Sequence, residues 1–384
     1  MKTIYLDHAA TTAVDGTVLK EMLPYFSRRF GNASTLYTLG HESREAVERA
    51  RKQIAKLINA EPNEIFFTSG GTESDNTALK GAFLANAGKK HIITTKIEHP
   101  AILQTCKWIE KQGGRVTYLH VDANGIVNPQ SVANAIGEDT LLVSIMHANN
   151  EIGTIQPIEE IARICREKKV MFHTDAVQTF GKIPIDVKKM NIDMLSASSH
   201  KIYGPKGTGI LFKRNKIWID ALMHGGGQER GLRSGTENVA GIVGFGKAAE
   251  IAMQKMKSEG EREKKLRDKI INGLLKIPKS RLNGHPTKRL PGNVNISFEG
   301  IEGESMVLML NEKGICSSTG SACSTGSLEP SHVLLAIGMT HEQAHGSLRL
   351  TLGRETSAKD VGYVLKAVPE IVDKLRSMSA TWRE

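Results

Sequence analysis

Glu64-Ile-Phe-Phe-Thr-Ser-Gly-Gly-Thr72 sets the architecture of this chain, because an apolar strand pattern runs directly into a Gly-Gly turn and a helix pattern. That helix pattern continues to Ala87, and short β-rich runs alternate with helical segments as far as about residue 215. Such alternation predicts an α/β fold with a mostly parallel sheet that helices cover on both faces. Further strands are predicted at His91-Ile-Ile-Thr-Thr, Arg115-Val-Thr-Tyr-Leu, Leu141-Leu-Val-Ser-Ile-Met, Val170-Met-Phe-His-Thr and Met194-Leu-Ser-Ala-Ser.

The pattern changes after about residue 250, where a long charged helix is predicted from Lys247 to Leu275. Beyond it, strand patterns at residues 292–298 and 346–352 alternate with helix patterns at 305–312 and 358–378. This mixture predicts a smaller α+β C-terminal domain. We place the large domain at residues 15–255 and the small one at 256–384, with the boundary inside the long helix.

Composition excludes several classes of protein. The chain has 384 residues, a net charge of +10 and dispersed basic residues, so a solvated helix face explains the charge better than nucleic-acid binding. No apolar run is long enough to span a membrane, and no leader pattern is visible, so we expect a cytoplasmic protein. The four cysteines contain no Cys-x-x-Cys pair, which argues against both a disulfide framework and an intrinsic metal site.

Polar residues stand where the predicted parallel strands end, which is the edge at which such sheets bind ligands. Gly71 and Thr72 open a helix and could cradle an anion, although most Gly-Gly turns are only turns. Asp175 could keep a ring nitrogen protonated, and Gln178 could bond a phenolic oxygen. An aspartate at a strand end can equally well be a helix cap.

Two lysines compete for the role of a nucleophilic amine. Lys201 follows the strand end at Ser198, next to His200, where desolvation can activate an amine for Schiff-base formation. Lys206 lies between Pro205 and a glycine, in what should be an exposed turn, so Lys201 is preferred. An anion cradle, a strand-end acid, an amide and a lysine together are what a pyridoxal-phosphate site requires.

His99 follows another predicted strand, within Glu98-His99-Pro100, and could lie flat against a planar ring. A lone histidine in that position is more often structural. Arg349 interrupts the apolar strand pattern Gly346-Ser-Leu-Arg-Leu, where its guanidinium needs a partner. A substrate carboxylate and a structural ion pair satisfy that need equally well.

Cys323 lies in Ser317-Ser-Thr-Gly-Ser-Ala-Cys-Ser-Thr-Gly-Ser, where every neighbour is small or polar. That composition is typical of a mobile loop, and an exposed thiol there could attack a sulfur atom and carry it away. Cys106 and Cys165 have the apolar neighbours of buried cysteines. Cys316 ends an apolar run and is predicted to be structural.

Several motifs together resemble the NifS/IscS-type cysteine desulfurases, which belong to the class V aminotransferase group of fold-type I pyridoxal-phosphate enzymes. The resemblance covers essentially the whole chain. The motifs are Tyr5-Leu-Asp-His-Ala-Ala-Thr-Thr, Thr68-Ser-Gly-Gly-Thr-Glu-Ser-Asp-Asn, Ser198-Ser-His-Lys-Ile-Tyr-Gly-Pro-Lys-Gly, Gly225-Gly-Gly-Gln-Glu-Arg-Gly-Leu-Arg-Ser-Gly-Thr and Ser321-Ala-Cys-Ser.

The resemblance implies a role for each candidate residue. Lys201 would carry pyridoxal 5'-phosphate, Cys323 would become a persulfide, and His99 would stack on the ring and shuttle protons. Asp175 and Gln178 would bind the ring nitrogen and ring oxygen. The residues implied for the phosphate are Gly71, Thr72, Ser198, His200 and, from a partner subunit, Thr236. Those implied near the substrate are Asn32, Asn150 and Arg349, Asn150 being also near the cofactor.

The same resemblance implies a homodimer that converts L-cysteine into L-alanine and passes sulfur to an iron–sulfur scaffold protein or another acceptor. Cys323 could then be a transient cluster ligand together with a scaffold. It also implies that residues 1–14 join the C-terminal domain. An aminotransferase or selenocysteine lyase on the same scaffold is the nearest alternative, and a non-catalytic sulfur carrier or RNA-associated protein is a more distant one.

Overall fold

The computed structural model describes residues 3–319, 330–379 and 382. In chain order, the strands are β1 (Ile4–Tyr5), β2 (Ile65–Thr68), β3 (His91–Thr95), β4 (Arg115–Leu119), β5 (Thr140–Ser144), β6 (Met171–Asp175), β7 (Met194–Ser198), β8 (Gly209–Lys213), β9 (Ser280–Leu282), β10 (Asn293–Phe298), β11 (Ile315–Cys316) and β12 (Ser347–Thr351). The helices are α1 (Gly16–Met22), α2 (Pro24–Ser27), α3 (Thr38–Leu57), α4 (Gly71–Leu84), α5 (Pro100–Lys111), α6 (Pro129–Ala135), α7 (Ile158–Glu167), α8 (Val239–Leu274), α9 (Gly303–Glu312), α10 (His332–Ala336), α11 (His341–His345) and α12 (Ala358–Met378).

A seven-stranded sheet with the order β2-β8-β7-β6-β5-β3-β4 forms the centre of the large region. Every pair in it is parallel except those of β8, which runs antiparallel to both β2 and β7. β5 and β7 are buried along their whole length, as expected for strands that are covered on both faces. The predicted α/β fold is therefore confirmed. Of the seven strands of this sheet, β8 is the one that was not predicted from the sequence.

The carboxyl ends of β2, β3, β5, β6 and β7 meet at one edge of this sheet, because these strands all point the same way. Each of the predicted pocket residues between positions 71 and 201 follows one of these ends. The fold thus collects side chains that are far apart in sequence at a single edge.

A second core lies in the C-terminal region, around the antiparallel sheet β12-β10-β9 and the helices α9 and α12. β1 pairs in parallel with β11, and the buried side chain of Leu6 belongs to this core. The chain start therefore packs against the C-terminal region.

Helix α8 links the two cores. Its buried residues up to Ala252 pack in the core of the large sheet, and those from Ile270 onward pack in the C-terminal core. At 1.5 Å per residue its 36 residues span about 54 Å. Because the helix is continuous across residues 255 and 256, the domain limits drawn there stay a prediction.

Helix α8 begins at Val239, eight positions before the predicted start at Lys247. The early part contains glycines that disfavour a helix in isolation. Here they permit close packing, since a Cβ on Gly246 would lie 2.6 Å from the Cα of Ala50 in α3. Contact with α3 thus offsets the poor helix propensity of this segment.

Within the described part of the chain, no helix is long and apolar enough to cross a membrane. The three cysteines described there, Cys106, Cys165 and Cys316, are free thiols, and the first two are buried as predicted. No group of three or more His, Cys, Asp or Glu residues capable of holding a metal ion occurs among the same residues.

Candidate active site

A cavity of about 310 Å³ opens at the carboxyl edge of the large sheet. It brings together ten of the thirteen residues proposed from the sequence, although they come from six separate stretches of chain. Those ten are Gly71, Thr72, His99, Asn150, Asp175, Gln178, Ser198, His200, Lys201 and Arg349. The volume is within the range of ordinary small-molecule sites.

One end of the cavity suits an anion. Helix α4 begins there with Gly71 and Thr72, and its N-cap is Gly70, so no cap side chain occupies the N–H groups of the first turn. A Cβ on Gly71 would lie 2.6 Å from the side chain of Val177, so only glycine lets the helix start approach this closely. Ser198 lies beside this turn in the cavity wall.

His200 stands at the same end. Its Nδ1 lies 3.0 Å from Thr11 Oγ1, and burial, with Lys201 nearby, lowers the pKa of its imidazole to about 4. The ring is therefore neutral at pH 7. A neutral histidine can still donate one N–H to an anion, so His200 would act there as a hydrogen-bond donor rather than as a charge.

Two buried carboxyl groups, those of Asp75 and Asp175, also line the cavity. Asp175 accepts a hydrogen bond from Val177 N at 2.8 Å, and burial raises its pKa despite the opposing effect of His99 and Lys201. Burial, reinforced by the charge of Asp175, raises the pKa of Asp75 well above its usual value. Asp75 Oδ1 has no hydrogen-bond partner among the described residues. The cavity wall therefore includes two buried carboxyl groups that a positively charged ligand group could stabilise.

Lys201 is the only lysine among the described residues that line the cavity. Its Nζ donates to the carbonyl oxygens of Ala9 and Ala10 at 2.5 and 2.6 Å. Lys206, the competing lysine, is exposed in a turn, as predicted. The chain start thus holds the Lys201 amine in the wall of the cavity that also contains Thr72 and Asp175.

His99 combines the two roles that the sequence left open. It is the N-cap of α5, where its Nδ1 accepts a hydrogen bond from Ala101 N at 3.1 Å, and its ring also lines the cavity. Because Nδ1 is an acceptor, the proton of the neutral ring resides on Nε2. Burial lowers the pKa of His99, so this neutral form is favoured.

Glu98 supports the segment that carries His99. Its carboxyl group accepts hydrogen bonds from Thr95 Oγ1 at 2.6 Å and from Met146 N at 3.1 Å. Full burial raises the pKa of Glu98 to about 8, so the group is largely protonated at pH 7. Glu98 therefore ties the end of β3 to the chain after β5 without a buried charge.

Arg349 makes an ion pair and also faces the cavity. It donates to Asp7 Oδ1 at 2.8 Å and to the carbonyl oxygen of Asn150 at 3.2 Å. Its Nε has no partner within the residues that the structure describes. An incoming carboxylate could satisfy this donor, so the ion pair fixes the guanidinium without using all of it.

Three predicted residues do not line the cavity of this chain. Asn32 is exposed, and its Oδ1 accepts a hydrogen bond from Ser34 N at 2.9 Å. Thr236 is also exposed. Cys323 lies outside the described residues. The roles assigned to these three stay predictions.

The sequence reading missed Asp75, Asp7 and the pair Ala9 and Ala10. The signal for Asp75 was its position four residues after Gly71, which puts it one helical turn inside α4. Ala9 and Ala10 gave no such signal, because Lys201, the residue that they contact, is about 190 positions away along the chain.

Comparison with known proteins identifies the family. The model of the class-V aminotransferases, described as "Aminotransferase class-V", matches residues 4–364. A protein named Cysteine desulfurase IscS, from Methanosarcina thermophila, is 59% identical over 379 residues, which are 98% of this chain and 94% of that protein. The chain belongs to the cysteine desulfurases of the class-V aminotransferase family.

Other cysteine desulfurases and solved structures agree with this placement. A Cysteine desulfurase IscS from Clostridium botulinum strain Hall is 55% identical over 387 residues, covering 100% of this chain and 98% of its own. A structure titled "NIFS-LIKE PROTEIN" superposes with a TM-score of 0.92 at 41% identity, covering 97% of this chain and 100% of that one. Class-V aminotransferases and cysteine desulfurases depend on pyridoxal phosphate, and so does this chain.

The cavity fits that cofactor by charge as well as by size. Pyridoxal phosphate carries a phosphate on one side of its ring and a basic ring nitrogen on the other. The helix start at Thr72 has no cap side chain on its N–H groups, and Asp75 and Asp175 are buried carboxyl groups with raised pKa values. The phosphate would suit the helix start and the ring nitrogen would suit a carboxyl group, and the Lys201 side chain lines the same cavity.

Proposed function

We propose that this cysteine desulfurase converts L-cysteine into L-alanine and transfers the sulfur to its own Cys323, and that the cavity residues carry out the chemistry. In the overall reaction, one L-cysteine and one enzyme thiol give one L-alanine and one enzyme persulfide. The carbon–sulfur bond of cysteine breaks, and a sulfur–sulfur bond forms. The observation that carries the proposal is the single cavity that joins Lys201, Asp175 and the start of α4.

The cofactor would be held at both of its charged ends. Thr72, Ser198, His200 and the N–H groups of α4 would donate to its phosphate, with Gly71 allowing the close approach. Asp175 would keep its ring nitrogen protonated, and Gln178 would donate to its ring oxygen. Lys201 would hold it covalently. When bound in this way, pyridoxal phosphate draws electrons away from the substrate's α-carbon.

Substrate would be oriented by Arg349, with Asn150 beside it and Asn32 as a further candidate. Arg349 supports this role, because it lines the cavity and its Nε has no partner among the described residues. Lys201, once released from its covalent bond, would take the α-proton. His99 would donate or accept a proton at Nε2, since its Nδ1 is engaged by the backbone.

Cys323 would receive the sulfur as a thiolate, because only a thiolate is strongly nucleophilic. Its small, polar neighbours in sequence support this assignment. Cys316 lies in β11, where it pairs with Tyr5, and this position supports a structural role. A thiol fixed in a strand is a poor carrier for a cargo that must be handed to another protein.

Alanine release separates the two cysteines. With L-cysteine and a reductant, Cys323→Ser should release almost no alanine but keep the visible absorption of the bound cofactor, whereas Cys316→Ser should keep most of its turnover. Mass spectrometry after cysteine treatment should find the extra sulfur on Cys323. Undiminished alanine release by Cys323→Ser, or sulfur on Cys316, would contradict the proposal and favour an aminotransferase or lyase activity.

We further propose a homodimer in which Thr236 of one subunit completes the phosphate site of the other. Its exposure in the single chain supports this, as does the run of exposed apolar side chains Leu19, Leu23 and Phe26 along α1 and α2. A mixed dimer of Thr236→Ala and Lys201→Ala subunits should then contain one intact site and half the wild-type activity. If Thr236 serves its own subunit, neither site of the mixed dimer is intact and activity falls well below half.

The acceptor of the sulfur is proposed to be an iron–sulfur scaffold protein or another sulfur carrier, with Cys323 as a transient cluster ligand in a scaffold complex. The Cys323 thiol must stay reduced in order to accept sulfur, which supports a place in the cytoplasm. We also propose residues 15–255 as the cofactor-binding domain and 256–384, joined by residues 1–14, as the small domain. Isotopically labelled sulfur, followed from cysteine to candidate acceptors, tests the first of these proposals.

A further inference from the structure

Lys182 lies four positions after Gln178 and lines a small second cavity instead of the main one. Its Nζ is 3.5 Å from Gln178 Oε1, while Gln178 Nε2 is 3.0 Å from the carbonyl oxygen of Ala9. A lysine ammonium can only donate and a carbonyl can only accept. The two contacts therefore permit one orientation of the Gln178 amide and exclude the flipped one.

That orientation has a consequence for the cavity. The amide nitrogen carries two N–H groups, and Ala9 uses one of them. Gln178 is buried and lines the cavity, so the second N–H is available to a ligand oxygen there. In the flipped orientation the amide would present an acceptor, which would repel a phenolate oxygen.

Lys182 also brings positive charge to the back of the site. It lines a second, small cavity of about 30 Å³, which is room for about one water molecule. Burial lowers the pKa of Lys182 to about 8, although Glu263 of α8 acts in the opposite direction. Burial likewise raises the pKa of Glu263 to about 7, with Lys182 opposing. The other ionisable or charged groups that line this small cavity are His8, Lys201, Tyr203, Glu259 and Arg354.

We infer that Lys182 is a positioning residue of this active site: it fixes the Gln178 amide with its nitrogen toward the cofactor and adds positive charge behind the ring oxygen. The inference rests on the proposed role of Gln178. Glu263 of α8 lines the same small cavity and opposes the charge of Lys182. Lys182 does not line the main cavity, so it would act through Gln178.

The pH dependence of the cofactor's visible absorption provides the test. That absorption changes when the linkage between Lys201 and the cofactor gains or loses a proton, and nearby positive charge favours loss of the proton. In Lys182→Met, which keeps the length of the side chain, the pH midpoint should rise by about one unit. Lys182→Arg should restore most of the wild-type midpoint, and the exposed Lys206→Met should leave it unchanged.

Glu263→Gln tests the same idea with the opposite sign, and it does not depend on whether Lys182→Met folds. Removal of the balancing negative charge should lower the midpoint, by less than the rise in Lys182→Met. A merely structural Lys182 would lower the melting temperature of Lys182→Met without moving either midpoint. If the wild type is active and binds the cofactor, and the midpoints of both variants equal the wild-type midpoint, the inference is overturned and the proposed function stays intact. A wild type without cofactor absorption or alanine release would overturn both.

Discussion

The carboxyl edge of the large sheet and the C-terminal core differ in how they bury ionisable side chains. In the C-terminal core, the buried guanidinium of Arg376 donates to the carbonyl oxygens of Glu299 and Pro278 at 3.0 and 2.8 Å. At the edge of the large sheet, Asp75 Oδ1, Thr94 Oγ1, Thr174 Oγ1 and His147 Nδ1 are buried with no partner among the described residues. An unmade hydrogen bond of this kind costs about 1–3 kcal/mol.

The difference shows which region is built for its own stability and which is built for a ligand. Where chain groups satisfy one another, as around Arg376, the structure gains by folding alone. Where carboxyls are buried with raised pKa values, as at Asp75 and Asp175, folding leaves a deficit that a bound group of the right charge can remove. Substitutions in the two regions should therefore have different consequences.

The largest effect is expected at the edge of the large sheet. Lys201→Ala should reduce alanine release by at least about 10³-fold, because both the covalent hold on the cofactor and the base for the α-proton are removed. The effect on the melting temperature of the apoprotein should be much smaller than the effect on turnover, since the hydrogen bonds of the amine to the chain start contribute about 1–3 kcal/mol each. Lys206→Ala is the matched control and should retain turnover. Equal losses in the two variants would mean that the wrong lysine has been assigned.

A stability effect without a catalytic one is expected in the C-terminal core. Leu310 of α9 is fully buried, and Leu310→Ala should lower the free energy of unfolding by about 3 kcal/mol through the cavity it leaves. Leu308, two positions earlier on the same helix, is 67% exposed, so Leu308→Ala should change that free energy by less than about 0.5 kcal/mol. Denaturant titration measures both. The folded fraction of Leu310→Ala should keep its turnover per molecule, and a loss there would show that the two regions are not independent.

An effect that is small per pH unit is expected from Glu98. Its pKa is raised from 4.5 to about 8 by burial, so between these values the folded state keeps a proton that the unfolded state has lost. The contribution of Glu98 to the free energy of unfolding is complete below pH 4.5. It decreases by about 1 kcal/mol per pH unit as the pH rises toward 8. Glu98→Gln, which stays neutral, should remove this slope in denaturant titrations of the apoprotein. Parallel pH profiles for the two proteins would show that Glu98 is already ionised.

The sequence predicted the parts of the fold that depend on local pattern. Met194–Ser198 and Ala358–Met378 form a strand and a helix with the predicted bounds, since hydrophobic periodicity alone defines them. The early start of α8 at Val239 could not be predicted in this way, because its glycines become favourable only through close tertiary contacts, such as that of Gly246 with α3. Tertiary contact decides such positions, and a single sequence does not display it.

The same distinction between local sequence pattern and tertiary contact applies to the residues of the candidate site. Residues at the ends of successive strands, such as Asp175 and Lys201, could be found because parallel strands bring their carboxyl ends to one edge. Ala9 and Ala10 could not, since small apolar residues carry no chemical signal and act here only through their carbonyl oxygens. Lys182 was equally hidden, because its importance lies in a contact with Gln178 rather than in a strand end.

Borohydride reduction followed by peptide mapping tests whether the cavity at the sheet edge holds the cofactor as described. Reduction of the yellow wild-type protein should bleach it and fix the pyridoxyl group on the peptide that contains Lys201, with none on the peptides that contain Lys182 or Lys206. The Lys201→Ala protein should carry no fixed group at all. A pyridoxyl group found on another lysine of the wild type, or still fixed in Lys201→Ala, would contradict the account.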